Sequence, residues 1–200
     1  MTRKIAARVL ALAFLAVAAT PGLARGVEKA QGEFTADLPA GGELRVHVRS
    51  GETRIVGSDG DRMTVRYEGR NAFRSNEVKV SLARSGRTGY LTVKGGPKNG
   101  LCIILEIPRQ TNLYVRMPFG DLSIASVIGD KDIAVHAGDM TVEVGEASQY
   151  SRVDASVYAG DLDARGFGVD KGGLFRSFET VGQGRYRLHA HLGAGQLTLK

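Results

Sequence analysis

A six-residue unit recurs along the second half of the chain: a small residue (Phe in one copy), Gly, an acid or its amide, an apolar residue, any residue, then a second apolar residue. It stands as Phe119-Gly120-Asp121-Leu122-Ser123-Ile124, Ala137-Gly138-Asp139-Met140-Thr141-Val142 and Ala159-Gly160-Asp161-Leu162-Asp163-Ala164. A last copy, Ala194-Gly195-Gln196-Leu197-Thr198-Leu199, closes the sequence, and Ser50-Gly51-Glu52-Thr53-Arg54-Ile55 is an earlier echo. The glycines at 120, 138 and 160 are 18 and 22 residues apart, and the step to 195 is 35. Units of this length hold two or three short strands that cannot bury an apolar face alone. Successive turns therefore stack and share one core. Glycine permits the sharp corner, and the following acid accepts bonds from backbone N–H groups there. The expected fold is all-β, a β-solenoid or parallel β-helix-like stack of short strands. Its structural corners are Gly120, Asp121, Gly138, Asp139, Gly160, Asp161 and Gly195. The alternative is an antiparallel sandwich whose turns share Gly-Asp. The 35-residue step predicts an extended turn or a bulging loop.

From Glu43 to Ile107 the pattern alternates without that unit. Leu44, Val46 and Val48 oppose Arg45, His47 and Arg49, and Met63, Val65 and Tyr67 oppose Arg62, Thr64 and Arg66. Period two means half-buried sheet. This first part is expected to be sandwich-like or an irregular cap. Leu101 to Leu105 is apolar on both faces, which predicts a central strand covered on both sides with Cys102 buried in it. No stretch after residue 30 carries helical spacing over three turns.

Arg3, Lys4 and Arg8 precede an apolar run of 11 residues, Val9 to Ala19, followed by Pro21-Gly22-Leu23-Ala24. That is the pattern of a secretory signal over residues 1–24 with cleavage after Ala24. The run is too short to span a bilayer, which takes ~20 residues. A linker, 25–42, and a single repeat domain, 43–200, follow. Removing the leader leaves 24 basic against 21 acidic residues, a net charge of +3. Basic and acidic residues alternate along the strands, so nucleic-acid binding is excluded as a reading. One cysteine excludes an internal disulfide, and no Cys/His spacing suits structural zinc. The chain is expected to be exported, periplasmic or at the cell surface, with no transmembrane span after the leader is removed.

The stretch Ile107-Pro108-Arg109-Gln110-Thr111-Asn112-Leu113-Tyr114-Val115, the recurring Gly-Asp copies and the ending Tyr186 to Leu197 resemble the bacterial adhesin-like β-strand-repeat family, whose function is mostly unassigned. The resemblance covers about residues 40–200. It implies an exported, right-handed parallel β-helix-like domain, with no catalytic residues to transfer. Gln196 in place of an acid and the 35-residue step depart from the family pattern, which puts the regularity of the last turn in doubt.

Few residues invite chemistry. Asp121, Asp139 and Asp161 lack the density of a calcium-binding repeat and are read as corner formers. His189 and His191 project from one strand face, but a metal needs a third ligand, and His47 and His136 are distant in sequence. No serine sits in a Gly-x-Ser-x-Gly context, and no carboxylate pair stands out. No cofactor or catalytic residue is assigned. Phe175-Arg176-Ser177-Phe178 places one ring inward and one outward. Phe175, Arg176, Phe178, His189 and His191 are therefore the expected interaction surface. The leading expectation is a non-enzymatic envelope interaction or scaffold module. Its partner would be an envelope protein or a cell-surface glycan, or a second copy of the chain through the solenoid ends. The alternatives are a periplasmic accessory or sensor protein for a membrane signalling partner, and a secreted carbohydrate-active or metal-dependent enzyme.

Overall fold

The computed structural model describes residues 31–69, 77–96 and 100–200. The leader, 1–24, and the first part of the linker lie outside them. The described residues form strands joined by turns and two short 3-10 turns, at Ala147–Gln149 and Arg165–Phe167. No helix among them is long and apolar enough to cross a membrane.

The chain shuttles between two faces, and each passage makes one rung. The first rung is β2 (Gly42–Val48) and β3 (Glu52–Ser58), with β1 (Gln31–Asp37) preceding it and β4 (Arg62–Gly69) and β5 (Val78–Ser85) following. The next rungs are β6 (Thr88–Gly95) with β7 (Leu101–Pro108), β8 (Thr111–Phe119) with β9 (Leu122–Ala125), and β10 (Lys131–Ala137) with β11 (Met140–Val142). Two long strands, β12 (Tyr150–Ala164) and β14 (Tyr186–Leu199), each make a whole rung by running round the corner, and β13 (Val169–Val181) lies between them in sequence. Neighbouring rungs pair in parallel on both faces. The result is one sheet folded over on itself, a flattened two-sided β-solenoid.

Rung order in space differs from chain order. Along the stack the rungs run β6/β7, β2/β3, β8/β9, β10/β11, β14, β12. Both ends are closed by antiparallel strands: β5 on β6, β4 and then β1 on β7, and β13 on β12. Two expectations are corrected here. The 35-residue step is neither a bulge nor a loop, because β13 returns antiparallel along β12 and β14 then inserts on the inner side of β12. The first part of the domain is two further rungs plus a cap, and residues 31–37 of the expected linker are an edge strand.

Alternation sets the core. On one face Leu44, Leu113 and Leu188 stack in register, followed by Val46, Val115, Ile133, Ala190 and Ala155; on the other, Ile103, Leu122, Met140 and Leu197 do so, all buried. The β7 strand is central in its sheet, with Leu101, Ile103 and Leu105 buried. Its outer side is covered less than expected, since Cys102 and Ile104 are half-buried.

The corners explain the glycines. Gly51, Gly120, Gly138, Gly195, Gly160 and Gly173 form one column with φ between 114° and 138°. A Cβ on Gly138 would stand 2.0 Å from the carbonyl oxygen of Gly120, and one on Gly195 2.0 Å from that of Gly138. Only glycine fits such a column. Beside it, Asp121 Oδ1 accepts from the Asp139 N–H and Asp139 Oδ1 from the Gln196 N–H, each at 3.0 Å. Each acid thus bonds the next rung rather than its own corner. The opposite corner repeats the device: Asn112 Oδ1 accepts from the Asp130 N–H at 2.9 Å, and Asp130 Oδ1 from the Arg187 N–H at 2.8 Å.

Candidate functional site

The face built by β6, β2, β8, β10, β14 and β12 carries side chains in straight columns, because parallel strands in register repeat every ~4.8 Å. One outward column reads Tyr90, Arg45, Tyr114, Asp132, His189, Asp154 and Glu179. Arg45 lies between two rings, 5.8 Å from the Tyr90 centroid and 4.8 Å from that of Tyr114. Arg116 stacks on the other side of Tyr114 at 3.7 Å and pairs with Asp132 at 2.9 Å. The hydrogen bond and charge of Glu43 raise the Arg45 pKa still further, so that cation is permanent. Cation and ring hold each other in place, which leaves a stiff ridge of alternating rings and guanidinium groups on open surface.

The neighbouring column reads Thr92, His47, Arg116, Ala134, His191, Ser156 and Ser177. His191 Nδ1 lies 2.9 Å from Ser156 Oγ, and His189 Nδ1 lies 3.6 Å from Asp154 Oδ2. Both pairs are direct cross-strand neighbours, so register accounts for them. A serine nucleophile needs its histidine oriented by the acid. Here the Ser–His and His–Asp contacts run side by side on separate columns and use different histidines. Among the described residues no group of three or more His, Cys, Asp and Glu is placed to hold a metal. His136 packs edge-on against Phe119 at 6.0 Å, away from the other histidines.

The expected interaction residues divide between two places. His189 and His191 stand on the flat face just described. Phe175, with φ 54°, is 69% exposed beside the glycine column, its ring edge-on to Tyr158 at 4.7 Å. Phe178 turns inward and meets Phe167 at 5.4 Å. Arg176 Nε donates to the Gly172 carbonyl at 2.6 Å, and Lys171 Nζ to the Ser177 carbonyl at 2.9 Å. These two cations cover edge carbonyls where β13 bends, a device that discourages pairing of an edge with another chain.

Sequence reasoning passed over Lys131. It occupies a core column between Leu113 and Leu188 and is 2% exposed. Its Nζ donates to the Tyr150 hydroxyl at 2.8 Å and to the Gly129 carbonyl at 3.3 Å. Burial pulls the Lys131 pKa down to about 8 and pushes that of Tyr150 up to about 12. Counting back by two from Val135 and Ile133 places 131 inward, which is the signal that could have found it. Above it, a shallow cleft of about 300 Å³ opens between Asp130, Asp132, Arg152, Asp154, Arg187 and His189.

No family model matches the sequence, and no curated protein matches it either. Among solved structures, a candidate cell adhesion protein from Clostridium sporogenes aligns over 85% of this chain and 100% of its own, with a TM-score of 0.54 and 12% identity. A candidate adhesin from Bacteroides fragilis aligns over 87% of this chain and 99% of its own, at a TM-score of 0.27 and 9% identity. The β-helix-like fold that the resemblance of the Gly-Asp copies implies thus has its counterpart in the clostridial structure. The chain shares its overall fold with the clostridial protein.

Proposed function

We propose that this chain is an exported, non-enzymatic envelope protein that acts as an interaction or scaffold module and meets its partner sideways, on the flat face of β6, β2, β8, β10, β14 and β12. The observation that carries the reading is the outward ridge of exposed Tyr90 and Arg45 and half-buried Tyr114 and Arg116, held by ring–cation contacts of 3.7 to 5.8 Å. Aromatic rings and arginine are the side chains enriched at interfaces, because each offers a large rigid contact area together with a polar edge. Capping of both stack ends by antiparallel strands, with Lys171 and Arg176 folded over the β13 edge, favours lateral contact over end-to-end stacking.

The test is in-cell crosslinking of a C-terminally tagged chain, with periplasmic, outer-membrane and medium fractions analysed separately by mass spectrometry. Intact mass of the exported species is expected to begin at Arg25. One dominant crosslinked envelope protein or glycan is expected, and its loss on joint Arg45→Ala and Tyr114→Ala substitution. Full-length chain recovered in the cytoplasm, or crosslinks unchanged by the double substitution, overturns the proposal.

A further inference from the structure

The last rung in the chain is not the last rung in the stack. β14 pairs on one side with β10 and β11 and on the other with β12. Among the described residues β12 pairs only with β13 and β14, and β13 only with β12. The three C-terminal strands are thus a unit whose ladder to the rest of the sheet is the outer edge of β14 alone. That seam is complementary in detail. Gly138 N donates to Ala194 O at 3.0 Å, Lys200 N to Val142 O at 3.0 Å, Gln196 N to Asp139 Oδ1 and Arg187 N to Asp130 Oδ1. Lys131 and Tyr150 meet across it, one from each side.

The connection between the two parts lies on the surface. Residues 145–149 are all exposed, and their 3-10 turn buries nothing. Gly145 has φ 65° with no atom within 4 Å of where its Cβ would stand. A complementary seam, a terminal unit and an exposed connection suit exchange of an element between copies of one chain, which is a low-cost route to a dimer.

We infer that Tyr150–Leu199 is a module that closes onto the β10/β11 edge and exchanges between two copies of this chain about the hinge at 145–149. Each copy then completes its neighbour's stack with the contacts it otherwise makes to itself. The occupant of the seam in trans is the same module of a second copy, because that segment carries the Ala194 carbonyl, the Gln196 and Arg187 amides and the Tyr150 hydroxyl that the β10/β11 edge and Lys131 already engage.

Mixed disulfides test this directly. Ala134 and His191 are register partners across the seam, both on the outward side. One batch carries Ala134→Cys and another His191→Cys, both with Cys102→Ser. They are co-incubated in sub-denaturing urea, returned to buffer and oxidised. A covalent mixed dimer is expected, at least ~10-fold above a control pairing Ala134→Cys with Thr198→Cys, since exchange holds the first pair at high effective concentration. Yield no greater than the control overturns the exchange. Hydrogen exchange on the unsubstituted chain guards against misfolded variants. The Gly138 and Gln196 amides are expected to exchange at least ~10-fold faster than those of Gly120 and Leu122, one rung inside. Equal protection at the two seams overturns the module.

Discussion

Replacing Lys131 with Met is expected to stabilise the protein at neutral pH, provided that Tyr150 is replaced with Phe in the same chain. Lys131 sits between Leu113 and Leu188 with its pKa lowered to about 8 by burial, against an ordinary 10.5. At 1.36 kcal/mol per pKa unit, holding the cation folded at pH 7 costs about 3 kcal/mol. Methionine fills the site without that charge. The single Lys131→Met change leaves the Tyr150 hydroxyl buried without its donor, which returns about 1–3 kcal/mol of the gain. Adding Tyr150→Phe removes that penalty. For a domain of this size 1 kcal/mol moves the melting temperature by roughly 2–4 °C, so the double variant should melt roughly 6–12 °C higher at pH 7. The sign with pH follows from linkage. The folded pKa of Lys131 is lowered, so between about 8 and 10.5 the unfolded chain holds more protons and stability rises with pH. Integrated, the gain from pH 7 is about 1 kcal/mol at pH 9 and about 2 kcal/mol at pH 10. Above pH 10 the raised pKa of Tyr150, about 12, reverses the slope, because the unfolded tyrosine ionises first. Urea melts at pH 7, 8, 9 and 10 read both effects. A wild-type curve flat across that range, or a double variant no more stable than wild type at pH 7, refutes the reasoning.

The glycine column predicts sharp position dependence. Gly138→Ala drives a Cβ to 2.0 Å from the Gly120 carbonyl and should cost more than ~3 kcal/mol, whereas Gly86→Ala, with φ 59° and no atom within 4 Å, should cost about 1 kcal/mol by thermal melt. Thr53 is 1% exposed in a column with Ile103 and Leu122, and its hydroxyl has no partner among the described residues. Thr53→Val should therefore stabilise by about 1 kcal/mol, read as a higher urea midpoint. Asp121 and Asp139 each spend one oxygen on the backbone of the next rung, so chelator is expected to leave the melting temperature unchanged. A fall of several degrees would make those carboxylates ligands.

Period-two alternation exposed the strands, and the Gly-Asp copies exposed the corner that joins the two faces. The order of the rungs was hidden, because every rung presents the same pattern of apolar and polar residues and any two can pair in parallel. Only the 35-residue step hinted that the chain returns before its final rung. Lys131 was hidden by its flanking residues: Asp130 and Asp132 make it read as a solvated corner, although the period places it inside. Of the interaction residues read from the sequence, Phe175 and the two histidines emerge on the surface, while Phe178 joins the packing of the β13 end. The ridge of Tyr90, Arg45, Tyr114 and Arg116 comes from three strands, β6, β2 and β8, so no local motif could show it.

The central claim is that the flat face, and not the capped ends, meets a partner. A photo-crosslinking residue placed at His47, between Thr92 and Arg116 on that face, tests it against the same residue at Val181 on the β13 edge and at Ser123 on the opposite face. A discrete crosslinked partner is expected from position 47 and none from 181 or 123. A partner captured from 181 but not from 47 would contradict it.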